Sequence, residues 1–141
     1  MAELIKYKPL VENGAIFADA IASDYIELTN DRKVQFVVES GVGTAADTTV
    51  TVKAKLGASG TAVAIPFKKK IGQVTYTNIE KTGDTLSIGG TTGECGFAVY
   101  EVSSDALKGE YDRVNINLTA IASSTVPGSI VAVIVGSRYS E

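Results

Sequence analysis

The sequence predicts an all-β domain: an antiparallel β-sandwich or jelly-roll-like fold with an extended N-terminal arm and one short helical turn. Three observations predict it. From residue 24 onward, β-branched residues recur with a period of two, which sets alternate side chains on opposite faces of a strand. Clusters of Gly, Ser, Thr and Asn interrupt these runs, as turns between strands do. Helical periodicity is almost absent, and about eight short strands in one chain is the pattern of packed sheets.

The elements follow in order. Val34, Phe36 and Val38 alternate with Gln35 and Glu39, and Val50, Val52, Ala54 and Leu56 with Thr51, Lys53 and Lys55. Val63-Ala64-Ile65-Pro66-Phe67 alternates as well, but a proline cannot donate to a ladder, so Pro66 marks an edge strand or a strand end. Val74, Tyr76 and Asn78 form a further strand, Thr85 to Ile88 another, and Gly89-Gly90 with the neighbouring threonines reads as a turn. Phe97 to Val102 is a strand, and Ser103 to Lys108 is one helical turn, capped by Ser103 or Ser104 and ended by Gly109. Val114, Ile116, Leu118 and Ala120 alternate with Asn115, Asn117 and Thr119. Ile130 to Val135 is apolar at every position, the signature of a central strand covered on both faces.

The first 23 residues read differently. Leu4 to Val11 is extended and mixed, with Pro9 holding Lys8 out of the helical region. Gly14 to Ala22 is small and apolar, a strand or a short helix ending near Ser23. Residues 1–23 are therefore either an arm that packs on a neighbouring subunit or the first strand of the same sheet. Residues 24–141 form a single β-sandwich domain. With 141 residues, the chain is long enough to fold without a disulfide or a metal.

Composition excludes several functions. There is no histidine, which removes the commonest general base and metal ligand and every Ser-His-Asp or Cys-His arrangement. We expect no catalysis, no cofactor and no metal. The single cysteine, Cys95, lies beside Glu94; an acidic neighbour does not activate a thiol, so Cys95 reads as a small apolar residue. A net charge of −3 is unlike the basic face of a nucleic-acid binder. No apolar run approaches the ~20 residues of a membrane-spanning helix. Met1 to Lys6 lacks the pattern of a secretory signal, so synthesis in a cytoplasm is expected.

Four local motifs have a functional and a plain structural reading. Gly41-Val42-Gly43-Thr44-Ala45-Ala46 matches a dinucleotide fingerprint, but Asp47 to Val52 is β-branched where a helix would have to begin. The segment reads as a hairpin loop. Asn117-Leu118-Thr119 is a glycosylation sequon that reads as the polar side of a strand. Lys68, Lys69 and Lys70 form the sole basic cluster, either a solvated strand end or a docking patch for an acidic surface or phosphates. Glu101, Asp105, Glu110 and Asp112 lie close in sequence. No tryptophan accompanies them to build a sugar platform; Asp105 belongs to the turn, Glu110 and Asp112 to a solvated strand start. Tyr100 and Tyr111 are expected half-buried at sheet ends, with hydroxyls in water.

The order of the segments resembles small structural proteins of the head gene cluster of tailed bacteriophages. The resemblance rests on Ala22-Ser23-Asp24-Tyr25-Ile26-Glu27-Leu28 with Val34 to Val38, and on the Gly-rich link into Thr49 to Ala54. It continues through Gly60 to Phe67, then Leu107, Tyr111 to Ile116 and the terminal apolar strand. Among such proteins it is most similar to capsid decoration, or cement, proteins. That resemblance implies a homo-oligomer, a trimer, bound to the major capsid protein lattice on the outer virion surface. The apolar side chains of the arm, Leu4, Ile5, Tyr7, Leu10 and Val11, are the candidate partner contacts. The alternatives are a tail-tube or head–tail joining protein, and a carbohydrate-binding or adhesion sandwich.

Overall fold

The computed structural model describes residues 3–11, 14, 16–28, 32–71, 75–90, 96–107 and 109–137. Two antiparallel sheets face each other. The first contains, in spatial order, β1 (Glu3–Val11), β12 (Gly128–Ser137), β4 (Lys33–Ser40), β10 (Gly96–Ser103), β7 (Phe67–Ile71) and β8 (Thr75–Ile79). The second is built on β11 (Arg113–Leu118) and the long β5 (Gly43–Lys55). The short β2 (Ile21–Ala22) and β3 (Ile26–Glu27) share the outer edge of β11. The far edge of β5 is shared by β6 (Val63–Ile65) and β9 (Asp84–Gly90). Single 3-10 turns stand at Ile16–Ala18 and Ser104–Ala106.

Alternation decides what is buried. In β4, Val34, Phe36 and Val38 face the core; in β5, Val50, Val52 and Ala54; in β11, Val114, Ile116 and Leu118. Register fits large residues to small ones across strands: Phe36 lies between Tyr100 of β10 and Ala132 of β12. Phe67 meets Tyr100 edge-on, with ring centroids 5.6 Å apart, a favoured geometry for aromatic pairs. Phe17, in the first 3-10 turn, is buried against the same core. It leans on Gly128, where an added Cβ would strike the Phe17 ring and stand 2.6 Å from the Glu39 carbonyl oxygen.

Residues 3–11 form the outer strand of the first sheet, paired with β12 along their length with one register shift between Pro9 and Val11. Several elements differ from their sequence reading. The Gly41–Val42 link is not a hairpin loop, because β4 and β5 belong to opposite sheets. It is a corner, pinned where the Gly41 N–H donates to the Pro127 carbonyl over 2.9 Å. Pro66 likewise marks the point where the chain leaves β6 in one sheet and enters β7 in the other. Leu56 and Ala120 fall past the ends of β5 and β11 and are exposed. Gly89-Gly90 extends β9 instead of turning. Ser103 stands at the cap position of the second 3-10 turn, but its side chain makes no capping bond. Gly109 follows that turn with φ of 77°. Val74, Cys95 and Lys108 lie outside the described residues.

Phe36 is the most direct test of the core. Phe36→Ala is expected to cost about 3–5 kcal/mol, transfer and cavity terms together. Thr51→Ala, on the outer face of β5, is expected to cost within about 0.5 kcal/mol. Urea unfolding of both variants checks this, and equal losses would contradict the core assignment.

Candidate interaction surfaces

Side chains that sequence grouped together are separated by the pleat. Lys68, Lys69 and Lys70 lie in the middle of β7, a strand hydrogen-bonded on both sides. They are therefore not a strand end, nor one patch. Lys69 turns inward and donates to Asp84 Oδ2 over 2.9 Å. Lys68 is exposed and Lys70 half-buried, both on the outer face.

Asp84 opens β9, opposite Val50 in the second sheet. Its Oδ2 also accepts the Tyr100 hydroxyl over 2.9 Å. Two donors of the first sheet thus converge on one carboxylate of the second, forming a polar clasp between the sheets. Tyr100 is fully buried, contrary to the expectation of a half-buried ring with a wet hydroxyl. Burial, then the hydrogen bond to Asp84 and its charge, push the phenol far above its ordinary value. Tyr100 is therefore always the donor. Sequence could not show this, since Tyr100 and Asp84 lie on different strands of different sheets.

Other polar side chains also serve the fold. The buried Asn115 donates to the Ser23 carbonyl over 3.0 Å, and Ser23 Oγ accepts the Ile116 N–H over 3.0 Å. These bonds tie the link between β2 and β3 to β11. In the sequon, Asn117 donates to Asn115 Oδ1, while Thr119 Oγ1 accepts the Thr49 N–H over 2.9 Å. Asp112 accepts from Gly57 N–H and from Arg113, whose guanidinium also reaches Glu27. The Arg113 hydrogen bond, followed by that from Gly57, holds the Asp112 carboxyl below its usual range. Glu101 accepts from Gln35 and pairs with Lys33. Of the four neighbouring acids, Glu101 and Asp112 are thus engaged in different sheets.

Two clefts stand out among the described residues. One, about 260 Å3, opens between the sheets beside Lys8, Tyr25, Glu27 and Arg32. The other, about 270 Å3, lies by Pro66, Ile79, Glu80 and Val102. Charged side chains of both signs line each: Lys8, Glu27 and Arg32 the first, Lys68, Glu80 and Glu101 the second. Among the described residues, no cluster of His, Cys, Asp and Glu could hold a metal, and no buried side-chain polar atom lacks a hydrogen-bond partner.

The two outer faces differ. On the first sheet, Val99, Val37 and Val131 stand in register across β10, β4 and β12, and Pro9 of β1 pairs with Val131. Val133 and Val135 continue the apolar surface along β12. On the second sheet the outer positions of β5 are Thr49, Thr51, Lys53 and Lys55. In the proposed arm, Leu4, Ile5 and Tyr7 pair with Gly136, Val135 and Val133, and Val11 with Ile130. The contacts expected of those four side chains lie outside the described residues. Leu10 packs against the core.

No protein-family model matches the chain, and no curated protein matches it. Among solved structures, the chain is similar to the SPBc2 prophage-derived protein YomS, with a TM-score of 0.59 at 9% identity over 96% of each chain. A second likeness is to a chain of the Bacillus endospore appendages, described as disulfide-linked pili. Its TM-score is 0.38 at 16% identity, over 97% of this chain and 91% of that chain. The first likeness shows a shared fold. The second is too loose to assign one.

The clasp predicts an alkaline signature. Above pH 10, the ordinary tyrosine value, the unfolded chain releases the Tyr100 proton that the fold retains. Stability is then lost as pH rises, by up to about 1.4 kcal/mol per pH unit for this group. The stability difference between wild type and Tyr100→Phe should fall above pH 10 with that slope, measured by denaturant unfolding. A flat difference would contradict the assigned hydrogen bond.

Proposed function

We propose that this chain is a structural virion protein that decorates and stabilises the outer surface of a bacteriophage capsid, without catalysis. The observation that carries the reading is the end-to-end fold likeness to a prophage-derived protein, over 96% of both chains. The molecule's own chemistry supports a structural role. Its ionic groups are spent on holding sheets and loops together: Asp84 joins the two sheets, and Asp112 ties the turn after β5 to β11. The partner is the major capsid protein lattice, and the chain acts as a homo-oligomer.

The test is binding of the purified protein to empty heads assembled from the capsid protein encoded with it, followed by sedimentation and electron microscopy. Saturable binding at a fixed ratio to capsid subunits, with density on the outside of the shell, is the expected result. Polymerisation of the chain alone into tubes, or binding only to tails, would overturn it in favour of a tail-tube or joining protein. Failure to bind heads together with binding to a glycan array would overturn it in favour of an adhesion module.

A further inference from the structure

We infer that the cleft between the sheets at Lys8 and Arg32 is a docking site for an acidic side chain of a partner protein. This deepens the reading of an assembly part, and rests on it for the premise that the partner is a protein.

The cleft is built from both layers. Lys8 of β1 stands opposite Ala132 of β12, whose side chain is in the core. Lys8 therefore sits on the inner face of the first sheet, as does Ile134 one pleat further along β12. Facing them are Tyr25, Ile26 and Glu27, at the edge of the second sheet. Arg32, just before β4, crosses Gly136: a Cβ added there would stand 3.0 Å from Arg32 Cγ. The glycine thus leaves room for the stem of the arginine side chain on β12. The Arg32 backbone is held as well, because its carbonyl accepts the Ser104 N–H over 2.8 Å.

Charge sets this cleft apart. The chain carries a net −3, and elsewhere cations near the core are matched by acids: Lys69 by Asp84, Arg113 by Asp112 and Glu27. Glu27 is the acid among the lining residues, and Arg113 already reaches it over 3.3 Å. Among the described residues, neither Lys8 nor Arg32 forms an ion pair. Lys55 adds positive charge beside the cleft wall, its Nζ 4.1 Å from the centroid of the Tyr25 ring. Inward charges on an edge strand hinder edge-to-edge pairing, which accounts for Lys8 alone. Arg32 leads into β4, which is hydrogen-bonded along both edges.

The lining selects the ligand. A guanidinium fork beside an ammonium calls for a carboxylate or a phosphate. Glu27 disfavours a dianion, and Tyr25, Ile26 and Ile134 offer an apolar wall to methylene groups. Both features point to a glutamate side chain. At about 260 Å3, the cleft is smaller than the ~300–1,000 Å3 of small-molecule pockets. It suits one side chain carried on a protein surface.

The test is an NMR titration of the nitrogen-15-labelled full chain with the peptide acetyl-Leu-Glu-Leu-Gly-amide at low salt. Saturable shifts are expected at the Arg32 Nε–H and at the Tyr25 and Gly136 amides. The Kd should be roughly millimolar and should weaken with added salt. Arg32→Gln and, separately, Lys8→Gln should each weaken binding at least about threefold. Lys68→Gln removes the same charge from the outer face and should leave binding unchanged; the amide spectrum reports that each variant is folded. No saturable shift, equal shifts with the glutamine analogue of the peptide, or binding untouched by both cleft variants would each overturn the inference. Tighter binding of inorganic phosphate than of the peptide would overturn it in favour of a phosphate site. Heads are absent from the titration. A peptide that binds while heads do not would sink the decoration reading alone, and heads that bind while the peptide does not would sink this inference alone.

Discussion

The structure depends on β4, the strand hydrogen-bonded along both edges, to β10 on one side and β12 on the other. Its inward residues Val34, Phe36 and Val38 set the register of both neighbours, and a slip by one residue would carry all three to solvent. The row through Tyr100, Phe36 and Ala132 then fixes the place of the Tyr100 hydroxyl. That hydroxyl needs a partner because it is buried, and Asp84 supplies one from the opposite sheet. Apolar register and the polar clasp between the sheets are therefore one constraint.

Much of the fold was legible in the sequence, because period-two alternation is a local signal. The strands through Val34 to Val38, Val50 to Ala54 and Val114 to Leu118 stand where their β-branched residues place them. Which sheet each strand joins was not legible. Gly41-Val42 looks the same whether it closes a hairpin or turns a corner, and only the distant Pro127 distinguishes them. Pro66 announced a break, and the break proved to be a change of sheet. Polar groups misled where their partners are remote: Asn115 is buried through Ser23, and Lys69 turns inward to Asp84. The three adjacent lysines looked like one patch because sequence adjacency hides the pleat.

The apolar run Ile130 to Val135 is where composition and fold part. Its composition called for cover on both faces, but the fold buries Ile130 and Ala132 fully and leaves Val131, Val133 and Val135 half-buried on the outer face. That outer face is mixed: Gln35 and Glu39 of β4, Glu101 of β10 and Lys68 of β7 share it with the valines. β1 pairs with β12 through Pro9 and widens the same sheet.

The most direct measurement is the rate at which a maleimide labels a cysteine introduced at position 131, followed peptide by peptide by mass spectrometry and compared with one at position 132, its inward-facing neighbour beside Phe36. The account predicts labelling at 131 in the folded protein and protection at 132 until the chain unfolds. Equal rates at both positions in the folded protein would contradict the register of β12 on β4.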